Sequence, residues 1–138
     1  MIVIDASVWM SFLVQQDANH AATHPWLAKI LTTKAPMAAP IFLLSEIGGA
    51  VSRRLGRADM GDKAISRLLS IPTLHLVSID HSLGIQSGRI AAKQRLRGAD
   101  ALYVTVAAQL NVPLVTWDSE QINRVSGLIT AYTPAQDS

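Results

Sequence analysis

Short apolar runs alternate with longer helix-like segments along this chain of 138 residues. The first run, Ile2–Ile4, is continuously apolar, as expected for a strand buried on both faces of a parallel sheet. Further short strands are predicted at 37–39, 75–77, 114–116 and 128–131, with helices between them. Strands separated by helices predict an α/β fold, in which helices cover both faces of a parallel sheet.

Prolines and glycines set the expected helix boundaries. Pro40 is expected to open a long helix over 41–55, and Gly56 to close it. The second helix, near 19–31, contains Pro25, which could instead occupy the first position of a helix capped by Thr23 or His24. Gly48 and Gly49 are costly inside a helix, so either a close approach by another helix or subunit, or a local kink, is expected there.

The composition fits one globular domain over 1–138, with 49% hydrophobic and 16% charged residues. The absence of cysteine excludes disulfides, thiolate catalysis and cysteine-ligated zinc, and it suits the cytoplasm. No apolar run approaches the ~20 residues of a membrane span, so no membrane association is expected. A net charge of +2 and a pI near 9.3 weakly favour nucleic acid as a partner.

Four acidic residues lie in or beside apolar stretches, where a lone charge is costly. They are Asp5 in IVIDAS, Glu46 in LLSEIGGAV, Asp100 in GADALYV and Asp118 in LVTWDSE. Because sites in open parallel sheets form beyond the carboxyl ends of the strands, Asp5 and Asp118 are expected at the same edge. Glu46 shares a helix face with apolar or small neighbours, which predicts a partly buried carboxylate.

Each of these acids also has a purely structural explanation. Asp5 and Asp118 stand where helix N-caps occur, and the helix dipole favours Asp100 in a first turn. Glu46 could pair with Arg53 or Arg54. As a set, however, carboxylates about 4 Å apart repel by ~4 kcal/mol per pair at an effective dielectric near 20. Their convergence would require either protonation or a divalent cation, and all-oxygen ligation suits Mg²⁺ or Mn²⁺, the ions of phosphodiester cleavage.

Basic residues cluster twice near these acids. Arg53, Arg54 and Arg57 end the helix of Glu46, and Lys93, Arg95 and Arg97 precede Asp100. Both clusters could hold RNA phosphates, and Arg53 and Arg97 are the candidate substrate-binding residues. Cations near helix carboxyl ends are also ordinary partners of the helix dipole.

Three segments resemble the acidic motifs of PIN domains, especially those of small VapC-like toxins of type II toxin–antitoxin pairs. They are IVIDAS, PIFLLSEIGGAVSRR and RGADALYVTVAAQLNVPLVTWD, and together the likeness covers almost the whole chain. The resemblance implies a PIN-like three-layer α/β/α sandwich with a central five-stranded parallel sheet. It also implies a Mg²⁺- or Mn²⁺-dependent endoribonuclease, a hydrolase.

The resemblance further implies a role for each matching residue. Asp5, Glu46, Asp100 and Asp118 would be the four catalytic acids, with Asp5, Asp100 and Asp118 as metal ligands. Ser7 and Thr116 would be supporting hydroxyls. Trp117 is bulkier than expected beside the last acid, and could narrow the groove or stack on a base.

Family members usually form homodimers and are neutralised by an antitoxin whose tail enters the acidic groove. The expected partners are therefore an RNA substrate, a VapB-like antitoxin and a second copy of the chain. The alternative is a non-catalytic PIN-like RNA-binding or scaffold domain. A receiver domain or a haloacid-dehalogenase-type phosphatase is disfavoured, because Asp5 lacks an acidic neighbour and position 7 is Ser7, not aspartate.

Overall fold

Five parallel strands form the central sheet in the order β3-β2-β1-β4-β5 in the computed structural model, which describes residues 1–137. The strands are β1 Ile2–Ile4, β2 Met37–Pro40, β3 Leu74–Val77, β4 Leu114–Val115 and β5 Ala131–Tyr132. The helices are α1 Ala6–Leu13, α2 His20–Thr32, α3 Leu43–Leu55, α4 Ala58–Leu69, α5 His81–Gln94, α6 Gly98–Leu110 and α7 Ser119–Val125. The predicted alternation of strands and helices is confirmed.

The central strands are buried on both faces. Val3 and Ile4 of β1, and Ala38 and Ala39 of β2, are fully buried. Because adjacent residues of a strand point to opposite faces, helices must cover both sides of the sheet. Helix α6 packs against β1, β2 and β4, and α5 packs on α6. Helix α1 contacts α2 and α3. The predicted three-layer α/β/α sandwich is therefore confirmed.

Two predicted element boundaries are wrong. Pro40 pairs with Val77 as the last residue of β2, so α3 begins at Leu43, two residues later than predicted. The final strand is Ala131–Tyr132, not 128–131, because the chain turns after α7 and the Leu128 N–H bonds the carbonyl of Val125.

Helix α2 runs through Pro25 and begins at His20, so the alternative start beside Pro25 is also wrong. The helix tolerates the missing N–H there because buried Thr23 and Leu27 anchor it on both sides of the proline.

Gly48 lies where α3 and α4 come closest together. A Cβ added at Gly61 of α4 would lie 2.5 Å from the Gly48 carbonyl oxygen, and one at Gly48 would lie 2.7 Å from Ile65 Cδ1. The predicted close approach by another helix is thus confirmed for Gly48. Gly49 does not take part, since a Cβ there would meet only the end of the flexible Arg53 side chain.

Among residues 1–137, none of the helices combines the length and the apolar character needed to cross a membrane.

Candidate active site

Asp5 lies at the carboxyl end of β1 and caps α1. Its Oδ2 atom accepts hydrogen bonds from the Ser7 N–H (3.2 Å), the Ser7 hydroxyl (2.7 Å) and the Thr116 hydroxyl (3.0 Å). Every hydrogen bond that the carboxylate receives within residues 1–137 goes to this one oxygen, so Oδ1 keeps its lone pairs free. Burial raises the pKa of Asp5, and these hydrogen bonds offset only part of that effect.

Ser7 and Thr116 connect Asp5 to the segment that carries Asp118. The Ser7 Oγ accepts the N–H of Trp117 at 3.1 Å, and the Thr116 Oγ1 accepts the N–H of Asp118 at 3.1 Å. The two hydroxyl oxygens are 3.3 Å apart. The ends of β1 and β4 are thereby held together, as their parallel pairing at Ile4 and Val115 requires.

Glu46 reaches the same edge from α3. Its Oε1 atom accepts the hydroxyl of Tyr103 at 2.6 Å, and Tyr103 is itself buried in α6. Burial raises the pKa of Glu46, the Tyr103 hydrogen bond lowers it, and the charges of Asp5 and Asp100 raise it further. No salt bridge joins Glu46 to Arg53 or Arg54 within the described part of the chain, so the structural alternative proposed for Glu46 is not found.

Asp100 and Asp118 share one guanidinium group. Arg97 Nε donates to Asp100 Oδ2 at 3.2 Å, and Arg97 Nη2 lies 3.8 Å from Asp118 Oδ2. The hydrogen bond to Asp100 and the two negative charges raise the pKa of Arg97. Asp100 lies in the first turn of α6, and Asp118 caps α7, as the sequence predicted. The two carboxylates therefore converge on a single cationic group.

Gln121 and Tyr103 are two residues of this edge that the sequence analysis missed as parts of the site. Gln121 is buried, lies 3.2 Å from the Thr116 hydroxyl through Oε1, and donates from Nε2 to the Asp100 carbonyl at 3.4 Å. A glutamine three residues after an N-cap aspartate has the spacing of a capping box, in which its side chain would bond the backbone N–H of the cap. The side chain instead ties α7 to the first turn of α6.

Trp117 does not point into the groove. Its indole N–H donates to Thr23 Oγ1 at 2.8 Å, and the ring packs against the hydrophobic core. The indole is therefore directed toward α2 and does not narrow the groove, and its stacking on a base stays a prediction. Its hydrogen bond anchors the segment before Asp118 to α2.

Two neighbouring depressions cover the acidic edge. One, of about 280 Å³, is lined by Arg97, Asp100, Asp118, Gln121 and Arg124, among others. The other, of about 410 Å³, is lined by Ser7, Glu46 and Arg53, among others. The two predicted substrate-binding arginines thus lie in different depressions.

The donor set suits a hard divalent cation, because every candidate ligand is a carboxylate oxygen. Asp5 keeps Oδ1 free of protein donors within residues 1–137, and Asp100 and Asp118 together already attract one cation, the Arg97 guanidinium. Within residues 1–137, no three His, Asp or Glu side chains lie close enough together to surround one ion, and Arg97 fills the space between two of the acids. Assignment of the three metal ligands stays a prediction.

The sequence matches the PIN domain family over residues 2–128. No curated protein matched the chain. Among solved structures, VapC20 of Mycobacterium tuberculosis, described as a sarcin–ricin-loop-cleaving toxin, has a TM-score of 0.76 at 17% identity, covering 94% of this chain and 97% of that one.

Two further solved structures share the fold. VapBC2 of Rickettsia felis, bound to promoter DNA, has a TM-score of 0.71 at 16% identity, covering 96% and 98% of the two chains. A toxin–antitoxin complex of Klebsiella pneumoniae has a TM-score of 0.64 at 14% identity, covering 97% and 98%.

Proposed function

Because this chain belongs to the PIN-domain family, we propose that it is a divalent-metal-dependent endoribonuclease that hydrolyses RNA phosphodiester bonds. One observation carries the proposal: four acids from separate segments lie along one edge of the sheet. Asp5, Asp100 and Glu46 interact electrostatically, and Asp100 and Asp118 share Arg97. Structural helix capping alone does not require the acids to converge in this way.

Asp5, Asp100 and Asp118 hold Mg²⁺ or Mn²⁺ in this proposal. Asp5 offers Oδ1, because its other oxygen is already fixed by three donors. Asp100 and Asp118 offer the oxygens that now face the Arg97 guanidinium. When bound, the ion stabilises negative charge that develops on the phosphate oxygens during hydrolysis. Ser7 and Thr116 act as supporting hydroxyls that orient Asp5.

Glu46 acts as the general base. The Tyr103 hydroxyl fixes Oε1, so Oε2 is the atom that accepts a proton from the attacking water. Burial raises the pKa of Glu46, which makes the carboxylate a stronger base than an exposed one. The water oxygen bonds to phosphorus as the bond to the leaving nucleotide oxygen breaks. Arg53 and Arg97 contact substrate phosphates on the two sides of this point.

The fold neighbours support a toxin role. One is described as a toxin that cleaves the sarcin–ricin loop, and another as a toxin–antitoxin complex. We therefore propose that residues 1–138 form one nuclease unit, that it dimerises, and that a VapB-like antitoxin blocks the acidic edge with a cationic segment. The nuclease would act in the cytoplasm, where its RNA substrates are. Light scattering of the chain alone, and with the product of the adjacent reading frame, tests both assemblies.

Cleavage of RNA by the purified protein tests the proposed function. Wild-type protein with Mn²⁺ or Mg²⁺ should cut a structured RNA panel that includes tRNA and rRNA fragments, and EDTA should abolish cutting. Asp5→Asn and Asp100→Asn should lose activity at every pH, whereas Asp80→Asn, which alters a helix cap on α5, should keep it. Wild-type turnover in the Asp5 or Asp100 variant would contradict the assignment. RNA binding without any metal-dependent cleavage would support the non-catalytic alternative.

A further inference from the structure

A basic depression lies directly beside the acidic edge. It measures about 270 Å³ and is lined by Lys93, Gln94, Arg95 and Arg124, which join the end of α5 to α7. Arg124 also lines the depression that contains Asp100 and Asp118. The two depressions are therefore contiguous, one carrying negative charge and the other positive.

Lys93 and Arg95 have no acidic partner among residues 1–137. Both are exposed, and within residues 1–137 neither forms a salt bridge. The basic cluster at the end of α3 differs in this respect, because Arg54 pairs with Asp17 and Arg57 with Asp59. Within residues 1–137, the α3 cluster therefore keeps one cation without a salt bridge, Arg53, whereas the cluster at the end of α5 keeps two, Lys93 and Arg95.

Arg124 is held in place between the two depressions. Its Nη1 donates to the carbonyl of Arg95 at 2.5 Å, and its Nη2 pairs with Glu120 one turn earlier in α7. Arg95 itself adopts a left-handed backbone conformation, with φ of 57°, where α5 ends. The bond from Arg124 secures this turn, so the loop that presents Lys93 and Arg95 is fixed relative to the acids.

The geometry points to a second phosphate-binding site in this basic depression, which takes the RNA backbone next to the phosphodiester at the acidic edge. This inference rests on the proposed function, because the basic depression would bind the RNA that is cleaved at the acidic edge. Because Arg124 lines both depressions, one RNA strand can run from the acidic edge into the basic depression. Electrostatic contacts of this kind bind any sequence, so choice among RNAs would come from elsewhere on the surface.

A matched pair of double variants tests this site. Lys93→Gln/Arg95→Gln removes the two unpaired cations of the depression. Lys29→Gln/Lys34→Gln removes two exposed cations near the amino ends of the strands, neither of which forms a salt bridge within residues 1–137. Lys34 has the same φ of 57° as Arg95. Both variants change net charge equally and disturb similar backbone positions. Binding of a fluorescein-labelled 12-nucleotide single-stranded RNA is measured by anisotropy in EDTA, where no cleavage occurs.

We expect the Lys93/Arg95 variant to bind RNA about tenfold more weakly at moderate salt. The slope of log affinity against log salt should fall in magnitude by about 1.4, since each phosphate contact on a single strand contributes about 0.7. The Lys29/Lys34 variant should match wild type in both quantities. Thermal unfolding of each variant checks that both remain folded.

Equal loss of binding in both variants, or no loss in either, would overturn the inference. A glutamate-rich peptide of matched charge serves as a competitor. If Lys93 and Arg95 proved necessary for the peptide but not for the RNA, the depression would be a protein-binding site and the inference would again be overturned. Because binding is measured without metal, the result is independent of whether the wild-type protein cleaves RNA.

Discussion

Tyr103→Phe isolates the contribution of a single hydrogen bond to Glu46. The hydroxyl lies 2.6 Å from Glu46 Oε1, while the ring is buried in α6 and loses no packing when only the oxygen is removed. A hydrogen bond to a charged group contributes about 1.5–3 kcal/mol. Because Glu46 is only partly buried, we expect the free energy of unfolding to fall by about 1.5 kcal/mol. Denaturant unfolding near neutral pH measures this difference.

The same substitution should move the pH dependence of cleavage. The Tyr103 hydrogen bond lowers the pKa of Glu46, so its removal should raise that pKa further above the ordinary value. Glu46 must be deprotonated to act as a base, and the acid limb of the kcat/KM profile should therefore shift to higher pH. Activity at the alkaline plateau should change less than activity at low pH.

Tyr132→Phe is the matched control. The Tyr132 hydroxyl forms no hydrogen bond within the described residues, so this substitution should change stability by less than about 0.5 kcal/mol. It should also leave the pH profile unchanged. The reasoning is refuted if Tyr103→Phe is as stable as Tyr132→Phe and its acid limb does not move.

Three further predictions concern burial, helix contact and charge. In EDTA, Asp5→Asn should be more stable than wild type at pH 7. Burial raises the pKa of Asp5 in the folded protein above its ordinary value of 3.8. The stability that Asp5 contributes is therefore fully present below pH 3.8 and is lost as the pH rises through the folded pKa, whereas asparagine does not ionise. The difference in free energy of unfolding between Asp5→Asn and wild type should therefore change between pH 3 and pH 7, and an equal difference at both pH values would contradict this. Gly61→Ala should lower Tm, because overpacking against Gly48 costs about 1–3 kcal/mol and outweighs the ~1 kcal/mol gain in helix propensity. Gly49→Ala should raise Tm, because only the flexible end of Arg53 lies near the added Cβ. Arg97→Gln should bind Mn²⁺ roughly two- to fivefold more tightly by calorimetry, because it removes a competing cation, and weaker binding would refute that role.

The strand ends and acidic positions could be predicted because they depend on local pattern. The continuous apolar run Ile2–Ile4 followed by Asp5 specifies both a buried strand and a helix cap, and the structure has both. The placement of Asp5 and Asp118 at the same edge could be predicted from parallel topology, and the structure makes β1 and β4 neighbours in the sheet.

The side-chain partners could not be predicted, because they depend on contacts between distant segments. Tyr103 lies in an apolar helical stretch, and nothing local indicates that its hydroxyl meets a carboxylate 57 positions away. Trp117 is similar, since its bond to Thr23 depends on how α2 packs beside the end of β4. Pro25 misled for a related reason, because tertiary burial of its neighbours outweighs its low helix propensity.

Binding of a divalent cation at the acidic edge tests the central claim most directly. Calorimetric titration of metal-free protein with Mn²⁺ should show saturable binding that Asp5→Asn weakens at least tenfold, while Asp80→Asn, a helix cap on α5, leaves it unchanged. If the wild-type protein bound neither Mn²⁺ nor Mg²⁺, or if both variants bound Mn²⁺ as tightly as wild type, the proposed metal-dependent nuclease would be contradicted.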